Sequence, residues 1–146
     1  MIVQLDECNI ESCVFMANKL WPCSDIEELR KDFISMLKSS SEECFLYKTK
    51  SDKYIGFVQV SIRRDYVEGS STSPVAYIEG IYVEEPNRMK GIALELINYS
   101  EAWGKERGCV EIASDCELDN TISIDFHSKI GFMETNRVVC FIKEIK

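Results

Sequence analysis

The stretch NRMKGIALEL, residues 87–96, decides the fold of the second half of this chain. It lies between VAYIEGIYV, a run typical of a strand, and an amphipathic run typical of a helix. A strand that turns through glycine into a helix presents free backbone N–H groups, which bind anions together with the helix dipole. Gly91 permits close approach to the backbone, and Arg88 and Lys90 add positive charge. The turn therefore suits a phosphate or pyrophosphate, with a solvated surface turn as the alternative.

Length and composition predict a single globular domain over residues 1–146. Hydrophobic residues make up 45% of the chain and charged residues 29%, which is ordinary for that class. No apolar run approaches the roughly 18 residues of a membrane span. The start MIVQLDECNIE lacks the basic segment that opens a secretory signal. We therefore expect a cytoplasmic protein with no membrane partner.

Net charge and cysteine content further limit the classes of ligand and partner that we expect. The net charge of −8 argues against a nucleic-acid partner and permits a cationic substrate, although solubility alone also explains it. The seven cysteines are odd in number and form no C-x-x-C pair, which predicts reduced and mostly buried thiols. His127 is the only histidine, so we expect no metal.

Apolar periodicity predicts the element order β-α-α-β-β-β-α-β-α-β. MIVQL forms a short first strand, and helices follow over 9–20 and 24–38, the second opened by a capping box of Ser24 and Glu27. The next strands are CFLYKTK, YIGFVQVSIRR and VAYIEGIYV, with the polar loop DYVEGSSTSP before the third. Helices over 91–107 and 120–130 flank the strand CVEIASD, and RVVCFIKEI is the last strand. This order predicts one mixed α/β sheet flanked by helices, with a parallel pair in its second half.

The spacing R-x-x-G-x-A, formed by Arg88, Gly91 and Ala93, resembles the acetyl-CoA pyrophosphate loop of the GNAT acetyltransferases. Asn120, followed by a helix that ends in KIGF, resembles a later motif of that superfamily, and the element order is similar to the superfamily's. The resemblance implies the GNAT acyl-CoA N-acyltransferase fold, with acetyl-CoA as the acetyl donor. The cofactor-binding residues that it implies here are Arg88, Met89, Lys90, Gly91, Ile92, Ala93 and Asn120.

A narrower resemblance runs through the whole chain. The blocks LWP (20–22), SIRRDYVEG (61–69), SPVAYIEGIYV (73–83), ASD (113–115) and DNTIS (119–123) resemble those of aminoglycoside 6′-N-acetyltransferases. That family transfers the acetyl group of acetyl-CoA to the 6′-amine of polycationic aminoglycoside antibiotics and so confers resistance. The resemblance also implies a homodimer, in which C-terminal strands meet across subunits. The alternatives are an acetyltransferase of another amine, such as a polyamine or a protein N-terminus, and a non-catalytic acyl-CoA-binding sensor.

The strand VAYIEGIYV is the expected thioester site. The backbone of Ile81, Tyr82 and Val83 would pair with the pantetheine arm as an added strand, with one N–H directed at the carbonyl oxygen. Gly80 predicts a bulge or a close approach, or simply a packing requirement. Glu79 would bind the substrate ammonium or accept its proton through water, unless it pairs with a structural Arg or Lys.

Five further residues complete the expected site. Asp115 ends a strand, where ligands gather in α/β sheets, and would face a substrate amine unless it caps a turn. Trp21 and Tyr66 match family positions that flank the sugar rings, although Trp21 also suits a core position. His127 stands where many GNAT members carry a tyrosine that protonates the thiolate, a task open to imidazole unless the ring only packs. Asn136 stands where related enzymes can carry a glutamate near the substrate. We expect Glu79, Asp115 and His127 to act in catalysis.

Overall fold

The computed structural model describes residues 1–146 and confirms the predicted fold class, a mixed α/β sheet flanked by helices. The five strands lie in the sheet in chain order, and each neighbouring pair is antiparallel except the last, which is parallel. The elements are β1 (Ile2–Gln4), α1 (Ile10–Leu20), α2 (Ile26–Met36), β2 (Glu42–Lys48), β3 (Tyr54–Arg63), β4 (Val75–Val83), α3 (Ile92–Glu106), β5 (Ile112–Ser114) and α4 (Thr121–Lys129). One turn of 3₁₀ helix, Glu85–Asn87, lies between β4 and α3.

The core is divided between the two faces of the sheet, because successive side chains of a strand point to opposite faces. Leu46 and Phe57 pack with α1 and α2 on one face. Phe45 and Val58 pack with α3 on the other face. Since both faces are covered, the openings left for a ligand lie along strand edges and at strand ends.

Two irregularities of β4 create such an opening. Gln59 of β3 pairs with Gly80, whereas the next residue, Val60, pairs with Ile78, so Glu79 is an extra residue in β4 and forms a bulge. On its other side β4 pairs with β5 only through Ala76–Ile78. Beyond Ile78 the two parallel strands therefore part. The predicted irregularity at Gly80 is confirmed.

Gly80 also satisfies a packing requirement. A Cβ at this position would lie 2.4 Å from Cζ2 of Trp21 and 3.1 Å from Cδ2 of Leu20. We expect Gly80→Ala to lower the free energy of unfolding by about 1–3 kcal/mol, the usual cost of overpacking. Urea unfolding measures this, and Gly80→Ala combined with Trp21→Leu is the control, because the smaller side chain makes room. A Gly80→Ala variant as stable as the wild type would contradict the contact.

Two local predictions are wrong. The N-cap of α2 is Asp25, not a box of Ser24 and Glu27: the Asp25 carboxylate accepts the N–H of Glu28 at 3.0 Å. Ser24 instead donates its own N–H to the Trp21 carbonyl in the turn that follows α1. The thiols are free but not mostly buried, because the buried cysteines Cys13, Cys44 and Cys109 are outnumbered by the exposed ones, Cys8, Cys23, Cys116 and Cys140.

The predicted last strand over 137–145 is absent from the sheet. This segment has no regular secondary structure, and its apolar side chains Val139, Phe141, Ile142 and Ile145 are at least 77% exposed. A strand requires a partner for its backbone groups, and no strand of this chain lies alongside the segment. We call residues 137–146 the C-terminal arm.

Candidate active site

The turn before α3 holds a run of free backbone amides. Met89 and Gly91 both have positive φ, 61° and 80°, and successive amides in such a turn form an anion-binding concavity. No acceptor in the chain pairs with the N–H groups of residues 89–91. Those of residues 92–94 are the first N–H groups of α3, which have no partner within a helix. Six consecutive N–H groups are therefore available to a phosphate, as the sequence predicted for an anion site.

The cationic side chains of this turn, Arg88 and Lys90, each donate a hydrogen bond to a backbone carbonyl. The Arg88 Nε donates to the Val83 carbonyl at 2.8 Å, and the Lys90 Nζ donates to the Pro86 carbonyl at 2.9 Å. Asn120 is the N-cap of α4, where its Oδ1 accepts the Ser123 N–H at 3.1 Å. The backbone rather than the side chains thus provides most of the free donors here.

A network of side chains links the bulge of β4 to the end of β5. Glu79 accepts hydrogen bonds from the Ser61 hydroxyl at 2.5 Å and from the Arg63 guanidinium at 2.8–3.1 Å. The same guanidinium lies 3.4 Å from the ring centre of Tyr77, whose hydroxyl donates to Asp115 at 2.6 Å. Burial, followed by the hydrogen bond to Asp115, raises the pKa of Tyr77. The ion pair that was the alternative interpretation of Glu79 is present, and both predicted carboxylates belong to one network.

A second group lies where the loop after β3 meets the C-terminal segment. The Tyr66 hydroxyl donates to one oxygen of Glu68 at 2.6 Å, and the Asn136 amide donates to the other at 2.8 Å. These two hydrogen bonds lower the pKa of Glu68. The structure thus brings Tyr66 and Asn136 together around an acid that the sequence analysis did not single out.

Trp21 lies against the core and beside the bulge. Its ring meets Phe57 edge-on at 6.2 Å between centroids and closes over Gly80, one residue after Glu79. It is half-buried, which fits both a core position and an aromatic wall beside the carboxylate network.

His127 faces the end of β5 and is held on several sides. Its Nδ1 lies 2.7 Å from the Ser123 carbonyl and its Nε2 lies 2.8 Å from the Ser114 hydroxyl. The rings of Phe126 and Phe132 meet the imidazole edge-on at 5.5 and 5.2 Å. Through its contact with the Ser114 hydroxyl, the imidazole therefore lies next to the point where β4 and β5 separate.

Comparison with known proteins identifies the family of this chain. The family model described as the acetyltransferase (GNAT) family matches residues 13–132, which include the turn, the carboxylate network and His127. The chain belongs to the GNAT acetyltransferase family. The predicted GNAT fold is thereby confirmed.

Within the GNAT family, the similar relatives are aminoglycoside N(6′)-acetyltransferases. The type 1 enzyme of Serratia marcescens is 37% identical over 145 residues, covering 99% of each chain. That of Acinetobacter genomosp. 13 is 40% identical over 144 residues, covering 99% of this chain and 98% of its own. The structure of AAC(6′)-Iy in complex with the bisubstrate analogue CoA-S-monomethyl-acetylneamine superposes with a TM-score of 0.96 at 35% identity, covering 99% of this chain and 98% of that one.

Arg63, Glu68 and Ser114 contact predicted site residues but were not themselves predicted from the sequence. Arg63 and Glu68 lie in the quoted block SIRRDYVEG and Ser114 lies in ASD, so the resemblance pointed to the segments but not to the residues. Their partners Glu79, Asn136 and His127 are distant in sequence, so the contacts arise from the tertiary structure. Elsewhere, no three His, Cys, Asp or Glu side chains are placed to hold a metal ion, and every helix is too short or too polar to cross a membrane.

Proposed function

We propose that this GNAT-family protein transfers the acetyl group of acetyl-CoA to the 6′-amine of aminoglycoside antibiotics and so confers resistance to them. The observation that carries the proposal is one open edge of β4 with an anion-binding turn at one end and a carboxylate network at the other. The turn suits the pyrophosphate of CoA, and the carboxylates suit a polycation. The bisubstrate analogue in the AAC(6′)-Iy complex, CoA-S-monomethyl-acetylneamine, unites the same two kinds of ligand in one molecule.

The donor is held along β4 and the turn that follows it. The open edge at Ile81, Tyr82 and Val83 takes the pantetheine arm as an added strand, and the amides of residues 89–94 take the pyrophosphate. Arg88 and Lys90 contribute charge, and Asn120 lies at the start of α4. One amide at the bulge polarises the thioester carbonyl as negative charge develops on its oxygen.

The acceptor lies against the acids and aromatic rings. Glu79, Asp115 and Glu68 supply three carboxylates for ammonium and hydroxyl groups, and Trp21 and Tyr66 supply aromatic walls for the sugar rings. Because Arg63 already neutralises Glu79, the bound ammonium shares that carboxylate with the guanidinium. Before attack the amine loses a proton. Glu79, the residue that forms the bulge, accepts this proton directly or through water.

Neomycin and paromomycin provide the test, because they differ only in an amine or a hydroxyl at the 6′ position. We expect the wild type to release free CoA thiol with neomycin and to do so much more slowly with paromomycin. Equal turnover of the two drugs would place the acetylated amine elsewhere. Turnover with polyamines or peptide N-termini alone would favour the other acceptor class, and CoA binding without turnover of any amine would favour a sensor.

We also propose that the protein is a homodimer in which the C-terminal arm of each copy adds to the sheet of the other. The arm exposes a row of large apolar side chains, and β5 is a short edge strand with unpaired backbone groups. A groove of about 470 Å³ lies between the end of α3 and the start of β5. The arm directly follows Asn136, which contacts Glu68. The dimer contact would therefore lie close in the chain to the Tyr66–Glu68 group.

Deletion of residues 137–146 tests the dimer. We expect the full chain to sediment as a dimer and the shortened chain as a monomer, because the deletion removes the exposed apolar row that needs a partner. Phe141→Ser with Ile142→Ser is a milder version that keeps the chain length. A full-length chain that sediments as a monomer would contradict the proposal.

We further propose a cytoplasmic location for the single domain over residues 1–146. All seven cysteines are free, four of them exposed, and free surface thiols persist in a reducing compartment. Labelling of these thiols in cells, compared with labelling of a periplasmic control protein, tests the location.

A further inference from the structure

The imidazole of His127 is held so that only one of its nitrogens can exchange a proton. The Ser123 carbonyl, 2.7 Å from Nδ1, can only accept a hydrogen bond, so Nδ1 carries a hydrogen in the neutral and in the cationic ring alike. The Ser123 hydroxyl is farther from Nδ1, at 3.3 Å. Proton exchange is therefore left to Nε2.

The partner of Nε2 is a hydroxyl rather than open space. The Ser114 Oγ lies 2.8 Å from Nε2, and the rings of Phe126 and Phe132 pack against the imidazole. A group bound between β4 and β5 would thus meet the Ser114 hydroxyl, which interacts directly with the imidazole. The sequence analysis assigned protonation of the thiolate to His127 without reference to Ser114.

Ser114 stands at the fork of the two strands. It is the last residue of β5 and pairs with Ile78, immediately before the bulge at Glu79 and the open edge of β4. It is half-buried, and the next residue is Asp115 of the carboxylate network. If the pantetheine arm follows the open edge, as the proposed function requires, the thioester sulfur arrives at this fork.

We propose that Ser114 delivers the proton to the departing thiolate and that His127 supplies it through Nε2. As the C–S bond breaks, its electron pair stays on sulfur, and the Ser114 hydroxyl gives its hydrogen to that sulfur. The Ser114 oxygen takes the Nε2 hydrogen of cationic His127, which becomes neutral and keeps Nδ1–H. The proton released by the attacking amine restores the cation. Atoms and charge balance without a further reactant.

Kinetics of Ser114→Ala and His127→Ala test the relay. We expect each variant to lose about 10²-fold in kcat, the usual worth of a positioned acid, with the KM of both substrates unchanged. The double variant should lose no more than either single one, because both remove the same proton path. Ser114→Thr keeps the hydroxyl and should recover most of the rate. Ser128→Ala, an exposed serine of the same helix without a side-chain hydrogen bond, is the matched control.

A second readout does not depend on turnover. Because His127 is the only histidine, the imidazole nitrogen resonances of the free protein belong to it alone. We expect Nδ1 to be protonated and Ser114→Ala to shift only the Nε2 resonance. An unshifted Nε2 resonance, wild-type kcat in Ser114→Ala, or multiplying losses in the double variant would each overturn the relay. A wild type that acetylates no aminoglycoside would instead overturn the proposed function, while the resonances would still test the hydrogen bond.

Discussion

Gly91→Val should lower the affinity for CoA by about 10²–10⁴-fold. Gly91 has φ of 80°, which a β-branched residue does not adopt without strain, and a Cβ there would point into space that a pyrophosphate needs. We expect relaxation to negative φ to turn about two of the six amides away from the ligand. Each charge-assisted hydrogen bond is worth about 1.5–3 kcal/mol, and 1.4 kcal/mol is about tenfold in affinity.

Gly108→Val is the matched control for this variant. Gly108 also has positive φ, 84°, also leaves open space where a Cβ would lie, and follows the opposite end of α3. Both variants carry the same backbone strain, so thermal unfolding should report similar losses of stability. Calorimetric titration with CoA separates them: Gly108→Val should bind as the wild type does. Equal affinities of the two variants would remove the amide turn from the donor site.

Glu79→Gln and Asp115→Asn should each lower kcat/KM for an aminoglycoside by about 10–150-fold, the value of one charge-assisted contact of roughly 1.5–3 kcal/mol. The two variants should differ in kind. Glu79 lies at the bulge beside the open edge, so its loss should reduce kcat, whereas Asp115 at the strand end should act through KM. Added salt should weaken drug binding by the wild type, since these carboxylates are partly exposed.

Arg63→Gln distinguishes a substrate role of Glu79 from a purely structural one. If Glu79 serves only to hold Arg63, the two substitutions break the same ion pair and should damage activity and stability alike. If Glu79 holds the ammonium, Arg63→Gln leaves that carboxylate free and should preserve or improve the KM for the drug. Wild-type kinetics in both Glu79→Gln and Asp115→Asn would place the acidic part of the site elsewhere.

Much of the fold follows from the sequence because its determinants are local. Apolar periodicity predicted the four helices and the first five strands to within a few residues at most ends, and the strand–glycine–helix order predicted the crossover and the turn before α3. Positive φ at Gly91 is permitted by the residue itself, since glycine lacks the Cβ that opposes it. Positive φ at Met89 does not follow, because the rest of the turn imposes it.

The partners of each side chain depended on the tertiary structure. Arg63 and Glu79 are 16 residues apart, yet the antiparallel pairing of β3 with β4 brings them together, and the bulge sets which way Glu79 points. The parallel pairing of β5 places Ser114 beside the opening, and α4 then brings the ring of His127 against it.

The C-terminal arm shows most plainly the difference between what the sequence predicts and what the tertiary structure decides. Its sequence, RVVCFIKEI, has the composition of a strand, but pairing is a property of two segments, and no strand of this chain lies alongside this one. Sequence determined which segments favour helix, strand and turn, because propensity, periodicity and glycine conformations act within a few residues of the chain. Only the tertiary structure decided which carboxylate meets which cation and which hydroxyl meets His127, because those contacts depend on register and crossover between segments that are distant in sequence.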